Sequence, residues 1–212
     1  MTGAGDPPRR FFPRPRVIDG RERVETFGII LAGIWIAFWV YWLISAVRSR
    51  SSSKRRQSAR PWIIFTLIAV LAWAALAHLA PPGFLQQHVL PDGTWTQLIG
   101  LAMTITGLGF AVWARIHLGK NWSSTPEIKV GHELILTGPY RFVRNPIYSG
   151  LLFGYAGTAI AAGVVWAFVL ILFLLGAFLL KIREEERFLL GEFGEEYEKY
   201  RREVRALIPY LL

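Results

Sequence analysis

The chain reads as all-α: a polytopic membrane protein with about five transmembrane helices, a C-terminal helical hairpin and an amphipathic cytosolic tail helix. Three observations predict this. Of its 212 residues, 53% are hydrophobic. Four stretches carry no Asp, Glu, Lys or Arg: Phe27 to Val47, Pro61 to Ala80, Trp95 to Ala114 and Ile147 to Leu180. The basic residues gather in short segments beside those stretches. About 20 apolar residues at 1.5 Å rise cross a ~30 Å hydrocarbon core, so each stretch is a candidate span. A soluble fold would have little polar surface left to cover four such helices.

In chain order, residues 1–26 form a basic N-terminal arm, with six arginines, several prolines and few aliphatics. It is not patterned as a secretory signal. Residues 27–114 hold three transmembrane helices and their loops. The loop at 48–60 has six Lys/Arg and no acid, whereas 81–94 has no Lys or Arg. Residues 115–212 form the third region. Within it, the 34-residue run 147–180 would make a single helix of about 51 Å, too long for the bilayer core without extreme tilt. A break near Ala161-Ala162-Gly163 gives two helices of roughly 15 to 18 residues, and glycines at 154, 157, 163 and 176 favour close packing. In the tail 181–212, Leu189, Phe193, Tyr197, Tyr200 and Val204 recur at helical spacing opposite charged residues.

The positive-inside rule places the 48–60 loop, the 115–146 segment and the tail in the cytoplasm, and the 81–94 loop outside. A spanning first helix then leaves the N-terminal arginines outside, against the same rule. The formal charge of +9, lying beside apolar runs, fits membrane lipids as partners and no nucleic acid. There are no cysteines, which excludes a thiolate nucleophile or thiolate metal site. His78, His88, His117 and His132 lack ligand spacing, so no metal site is expected.

Two segments carry chemistry. The first is HELILTGPYRFVRNPIYSG, residues 132–150. Thr137-Gly138-Pro139-Tyr140 is a turn signal. Pro146 suits the first turn of a helix, Asn145 is positioned to cap it, and its free N–H groups beside Arg144 invite an anion. The second is Lys181 to Glu186. Three consecutive carboxylates, Glu184, Glu185 and Glu186, stand at the membrane border, where a cationic partner would relieve their repulsion.

Together, TGPYRFVRNPIYSG and KIREEERFLLGEFGEEYEKYRREVRALIP resemble the isoprenylcysteine carboxyl methyltransferase and phospholipid methyltransferase superfamily of integral membrane enzymes. The resemblance covers about His117 to Pro209. It implies methyl transfer from S-adenosyl-L-methionine, bound without a Rossmann domain, to a lipophilic or small membrane-accessible acceptor (a carboxylate, thiol or amine). Carried over by position, the cofactor residues are His132, Leu134, Gly138, Tyr140, Arg144, Asn145, Pro146, Tyr148, Glu185 and Glu186. Glu186, Arg144 and Glu185 are the catalytic candidates, with Glu186 as a base and Glu185 on the cofactor, or the reverse. Asn145 stands where many members have His, Lys181 where the eukaryotic carboxyl methyltransferases have Arg, and Val204-Arg205 where many members have Val-Pro. Two other readings compete: a membrane sterol-type reductase using a nicotinamide cofactor, and a non-catalytic membrane scaffold. A dinucleotide would ask for clustered Lys and Arg, whereas a cationic methyl donor asks for carboxylates and aromatic faces as well.

Overall fold

The computed structural model describes residues 20–48, 55–56, 83–119, 127–128 and 134–209. The expected span at Pro61 to Ala80, the loop at 48–60 apart from Arg48, Arg55 and Arg56, and His132 lie outside them. Among the described residues there are five α-helices: α1 (Gly20–Arg48), α2 (Thr94–Leu118), α3 (Pro146–Ala162), α4 (Val165–Phe193) and α5 (Glu195–Glu203). Among the described residues, three helices are long and apolar enough to cross a membrane, at Glu22–Arg48, Thr94–Leu118 and Val165–Phe193. A two-residue antiparallel ladder, β1 (Arg55–Arg56) with β2 (Glu127–Ile128), joins the two loops expected on one face.

α2 and α3 form the tightest pair. A Cβ on Gly107 would lie 2.5 Å from the Gly150 carbonyl, and one on Gly157 2.5 Å from that of Gly100. The backbones therefore touch, as small residues allow in a bilayer where apolar burial drives no helix association. Thr104, wholly buried, sits in this seam. Its hydroxyl lies 2.9 Å from the Gly100 carbonyl and 3.2 Å from that of Gly154. α1 packs on the outside of the pair: Trp35 stacks on Tyr155 at 4.4 Å and donates its indole N–H to Thr158 Oγ1 at 3.0 Å. Phe38, Leu108, Ala111 and Leu151 fill the core between them.

The hairpin breaks where expected. α3 ends at Ala162, and Gly163 adopts φ 66°, a left-handed cap that an L side chain resists. The loop before α2 closes over this turn, with the amides of Val89 and Leu90 donating to the Gly163 carbonyl. The tail differs from the expected single helix. α4 runs unbroken from the apolar segment through Lys181 and the three glutamates to Phe193. Gly194, at φ 50°, then turns the chain into the short α5.

The contacts define two ends of the bundle. At one, Arg23 of α1 bonds Thr94 at the start of α2 (2.5 Å), and Val89 meets Gly163. At the other, Arg115 reaches the Ser45 carbonyl at 3.4 Å, and Tyr140 OH lies 3.5 Å from the Ala114 carbonyl. α1 thus stands parallel to α2 along its length.

Candidate active site

Everything the sequence singled out in the 132–150 and 181–186 segments converges on the second end, apart from the undescribed His132. Gly138 to Arg141 form a 3-10 turn, with Pro139 and Tyr140 buried. Gly138 has φ 61°, and a Cβ there would meet the His117 ring at 2.6 Å. The imidazole lies over the turn, 2.9 Å from Thr137 Oγ1, and its plane is nearly parallel to the Tyr140 ring. Leu134 is half-buried where the described segment begins. Pro146 takes the first position of α3, as its fixed φ and missing N–H predict. Asn145 precedes it but makes no side-chain cap. Its amide group instead donates to the Ala206 carbonyl at 3.3 Å, because the C-terminal segment lies against it.

The hairpin returns α4 to the same end and brings two acid–base clusters together. In the first, Glu185 Oε1 accepts from Tyr148 OH at 2.9 Å and lies 3.2 Å from Lys181 Nζ. Phe178 tilts against the Tyr148 ring at 5.0 Å, extending an aromatic wall toward the membrane interior. Lys181 is buried. In the second, Glu186 Oε1 accepts from Arg144 Nε at 2.8 Å and from Nη2 at 2.6 Å, with both side chains largely buried. Arg201 stands 3.9 Å from Glu186 Oε2. Glu184 is exposed. The cations that relieve the three carboxylates thus come in part from the protein itself: Lys181 one turn earlier, and Arg144 across the hairpin.

Behind these clusters the tail supplies phenols. Tyr197 and Tyr200 are buried, and Tyr200 OH donates to the Tyr140 carbonyl at 2.5 Å. Burial holds the phenols of Tyr140, Tyr197 and Tyr200 well above the ordinary tyrosine range. The Glu185 charge adds to the effect on Tyr140, and Glu186 adds to it on the other two. They are hydrogen-bonding and packing groups at neutral pH. Sequence reasoning assigned no site role to His117, Tyr200 or Ser149. Tyr200 was visible as one step of the apolar period. The others carry no local signal, since their partners are distant in the chain.

The chain is similar to known membrane methyltransferases. A family model described as phospholipid methyltransferase matches residues 95–196. A probable protein-S-isoprenylcysteine O-methyltransferase of Oryza sativa subsp. indica is 30% identical over 147 residues, 68% of this chain and 76% of that protein. Protein-S-isoprenylcysteine O-methyltransferase B of Arabidopsis thaliana is 30% identical over 165 residues, covering 72% and 76%. The Rattus norvegicus enzyme is 29% identical, and the match spans about half of its length (49%). The fold is shared with a eukaryotic intramembrane Ras methyltransferase, an isoprenylcysteine carboxyl methyltransferase, at TM-score 0.66 and 20% identity, covering 92% of this chain and 70% of that one. The chain therefore belongs to the isoprenylcysteine carboxyl methyltransferase and phospholipid methyltransferase family: it is an integral, multi-pass membrane methyltransferase, and its methyl donor is S-adenosyl-L-methionine.

Proposed function

We propose that this enzyme methylates a lipophilic, membrane-accessible acceptor bearing a carboxylate, thiol or amine, at the cytoplasmic end of the bundle. The single observation that carries the reading is Glu185. It is held by Tyr148 and Lys181 through one oxygen, at the point where α4 leaves its apolar stretch. An acid there can meet charged or protonated groups, while the acceptor's apolar part remains among the helices.

The residues suit the methyl donor, whose sulfonium supplies an activated methyl for in-line displacement. Glu185 and the faces of Tyr148 and Tyr140 favour its cations. The set Leu134, Gly138, Tyr140, Arg144, Asn145, Pro146, Tyr148, Glu185 and Glu186 lies around this end, and we take it as the site. The protein's work is alignment and exclusion of water, which the buried 3-10 turn and the docked tail support. Where the acceptor is a thiol or amine, a glutamate oxygen of this cluster takes its proton; a carboxylate acceptor needs no base. The relatives' names specify isoprenylcysteine, so a prenylcysteine carboxylate heads the panel of acceptors. The cytoplasmic placement is supported by the positive-inside rule and by the pairing of Arg55 and Arg56 with Glu127 and Ile128 of the segment expected on the same face.

The test is transfer of labelled methyl from S-adenosylmethionine by purified enzyme in lipid. Prenylcysteine analogues, a phospholipid extract and small thiols would be offered side by side. Labelled product that partitions into the lipid phase is expected. Methylation confined to water-soluble thiols would overturn the lipophilic assignment.

A further inference from the structure

Four successive carbonyls of the C-terminal segment are each held from the start of α3. The Val204 carbonyl accepts from Arg144 Nη1. The Arg205 carbonyl accepts from the Arg144 amide at 2.8 Å, and that of Ala206 from the Asn145 amide at 3.0 Å. The Leu207 carbonyl accepts from Ser149 Oγ at 2.6 Å. Tyr200 OH, bonded to the Tyr140 carbonyl, ties the preceding helix to the 3-10 turn. The Leu207 side chain is buried at the end of this run.

The same contacts use up most of Arg144. Its Nε and one Nη2 N–H go to Glu186, and its Nη1 group goes to the Arg201 and Val204 carbonyls. That is four of the five N–H groups a guanidinium carries, so no two-bond fork remains for a ligand carboxylate. Glu186 faces two arginines: its Oε1 takes both Arg144 bonds, and Arg201 stands 3.9 Å from its Oε2. Glu185 Oε1 carries both of its contacts, and its Oε2 makes no hydrogen bond or ion pair among the described residues.

We propose that residues 204–207 form a strap across the start of α3, that Arg144 and Glu186 are positioning residues which hold it, and that Glu185 is the one of the two adjacent glutamates that faces the cofactor's cation. The last clause rests on the methyl-donor reading above; the strap does not. The strap is gripped through its backbone oxygens and not its side chains. Val204-Arg205 and the Val-Pro of many relatives are then equivalent. Proline keeps its carbonyl, and the Arg205 N–H that it would lack makes no hydrogen bond among the described residues.

Two measurements on the full-length chain in lipid nanodiscs test this. The first is hydrogen exchange without ligand. Arg144→Ala, Ser149→Ala and Tyr200→Phe should each speed exchange in the peptides covering 144–149 and 200–209, whereas Glu185→Gln should not. The two mild variants keep the test open if Arg144→Ala does not fold. The second is calorimetry with S-adenosylhomocysteine. Glu185→Gln should weaken binding at least tenfold. Arg144→Lys, which keeps a cationic donor for Glu186 and the Val204 carbonyl, should recover part of the binding lost by Arg144→Ala. Unchanged exchange in Ser149→Ala and Tyr200→Phe would overturn the strap. Unchanged exchange in Arg144→Ala together with lost binding would make Arg144 a direct ligand. Full binding by Glu185→Gln would overturn the division between the glutamates. Failure of the unaltered enzyme to bind would reject the Glu185 assignment along with the methyl-donor reading, while the exchange results still decide the strap.

Discussion

Glu185 and Glu186 are neighbours in the chain but point to different partners, one on its own helix and α3, the other across the hairpin. Removing the charge of Glu185 while keeping its shape isolates its chemistry. Glu185→Gln should lower methyl transfer on the order of 10²-fold or more, with thermal unfolding unchanged. Activity equal to the parent enzyme would mean that the side chain is a bystander. Gly138 is a second residue with a sharp consequence. Its φ of 61° admits a side chain only with strain. The His117 ring can swing aside, so the backbone sets the cost. Gly138→Ala should destabilise by roughly 1–3 kcal/mol, read as a drop in unfolding temperature. At this scale the sequence was informative about which residues matter and less so about what they touch. Three consecutive carboxylates announced a need for cations. That Lys181 and Arg144 meet it depends on a helical turn and on a hairpin, and only the second required the fold. Arg144 read as an anion site because arginine beside a helix start usually is one. The C-terminal carbonyls that occupy it lie some 60 residues away, at |i−j| of 57 and 60.

Among the elements, the α2–α3 seam has a polar member whose worth can be measured. Thr104 is buried and its hydroxyl has only helix carbonyls and Thr158 to meet. Thr104→Val keeps the volume and removes the hydroxyl. Within a membrane this should cost roughly 0.6–1.7 kcal/mol in unfolding free energy; a loss above that range would show that the seam itself had shifted. The tail has a pH limit of a different kind. Tyr140, Tyr197 and Tyr200 are held neutral by burial, so their folded-state pKa values exceed the unfolded value of about 10. Docking of the tail is therefore at full strength below that value. It weakens as pH rises above it, because the released phenols ionise and the docked ones resist. Amide exchange in 195–209, compared between pH 8 and pH 10.5 after correction for its intrinsic rate, should show loss of protection only at the higher pH. The hairpin break was legible because glycine and helix length pointed to the same place. The break at Gly194 was not, since the apolar spacing from Leu189 to Val204 runs through it without a skip.

For the molecule as a whole, the arrangement of ends is testable in a chain without cysteines. Single cysteines at Gly93 and Glu196 should react with an impermeant reagent from opposite sides of the membrane, Glu196 from the cytoplasm; labelling of both from one side would refute the arrangement. The membrane class, the helical hairpin and the chemical family, and with them the proposed site, were all legible in local properties: charge-free runs of spanning length, turn residues, and two motifs at either end of the hairpin. These need no knowledge of neighbours, because the bilayer and the backbone impose the same constraints on any chain. Which donor meets which acceptor was decided in three dimensions. The parallel stand of α1 beside α2, the seating of His117 on the Gly138 turn, and the C-terminal carbonyls laid over the start of α3 all join residues from separate segments. A hydrogen bond depends on distance and direction to within a fraction of an ångström, and sequence spacing carries that information only within a helix or a turn.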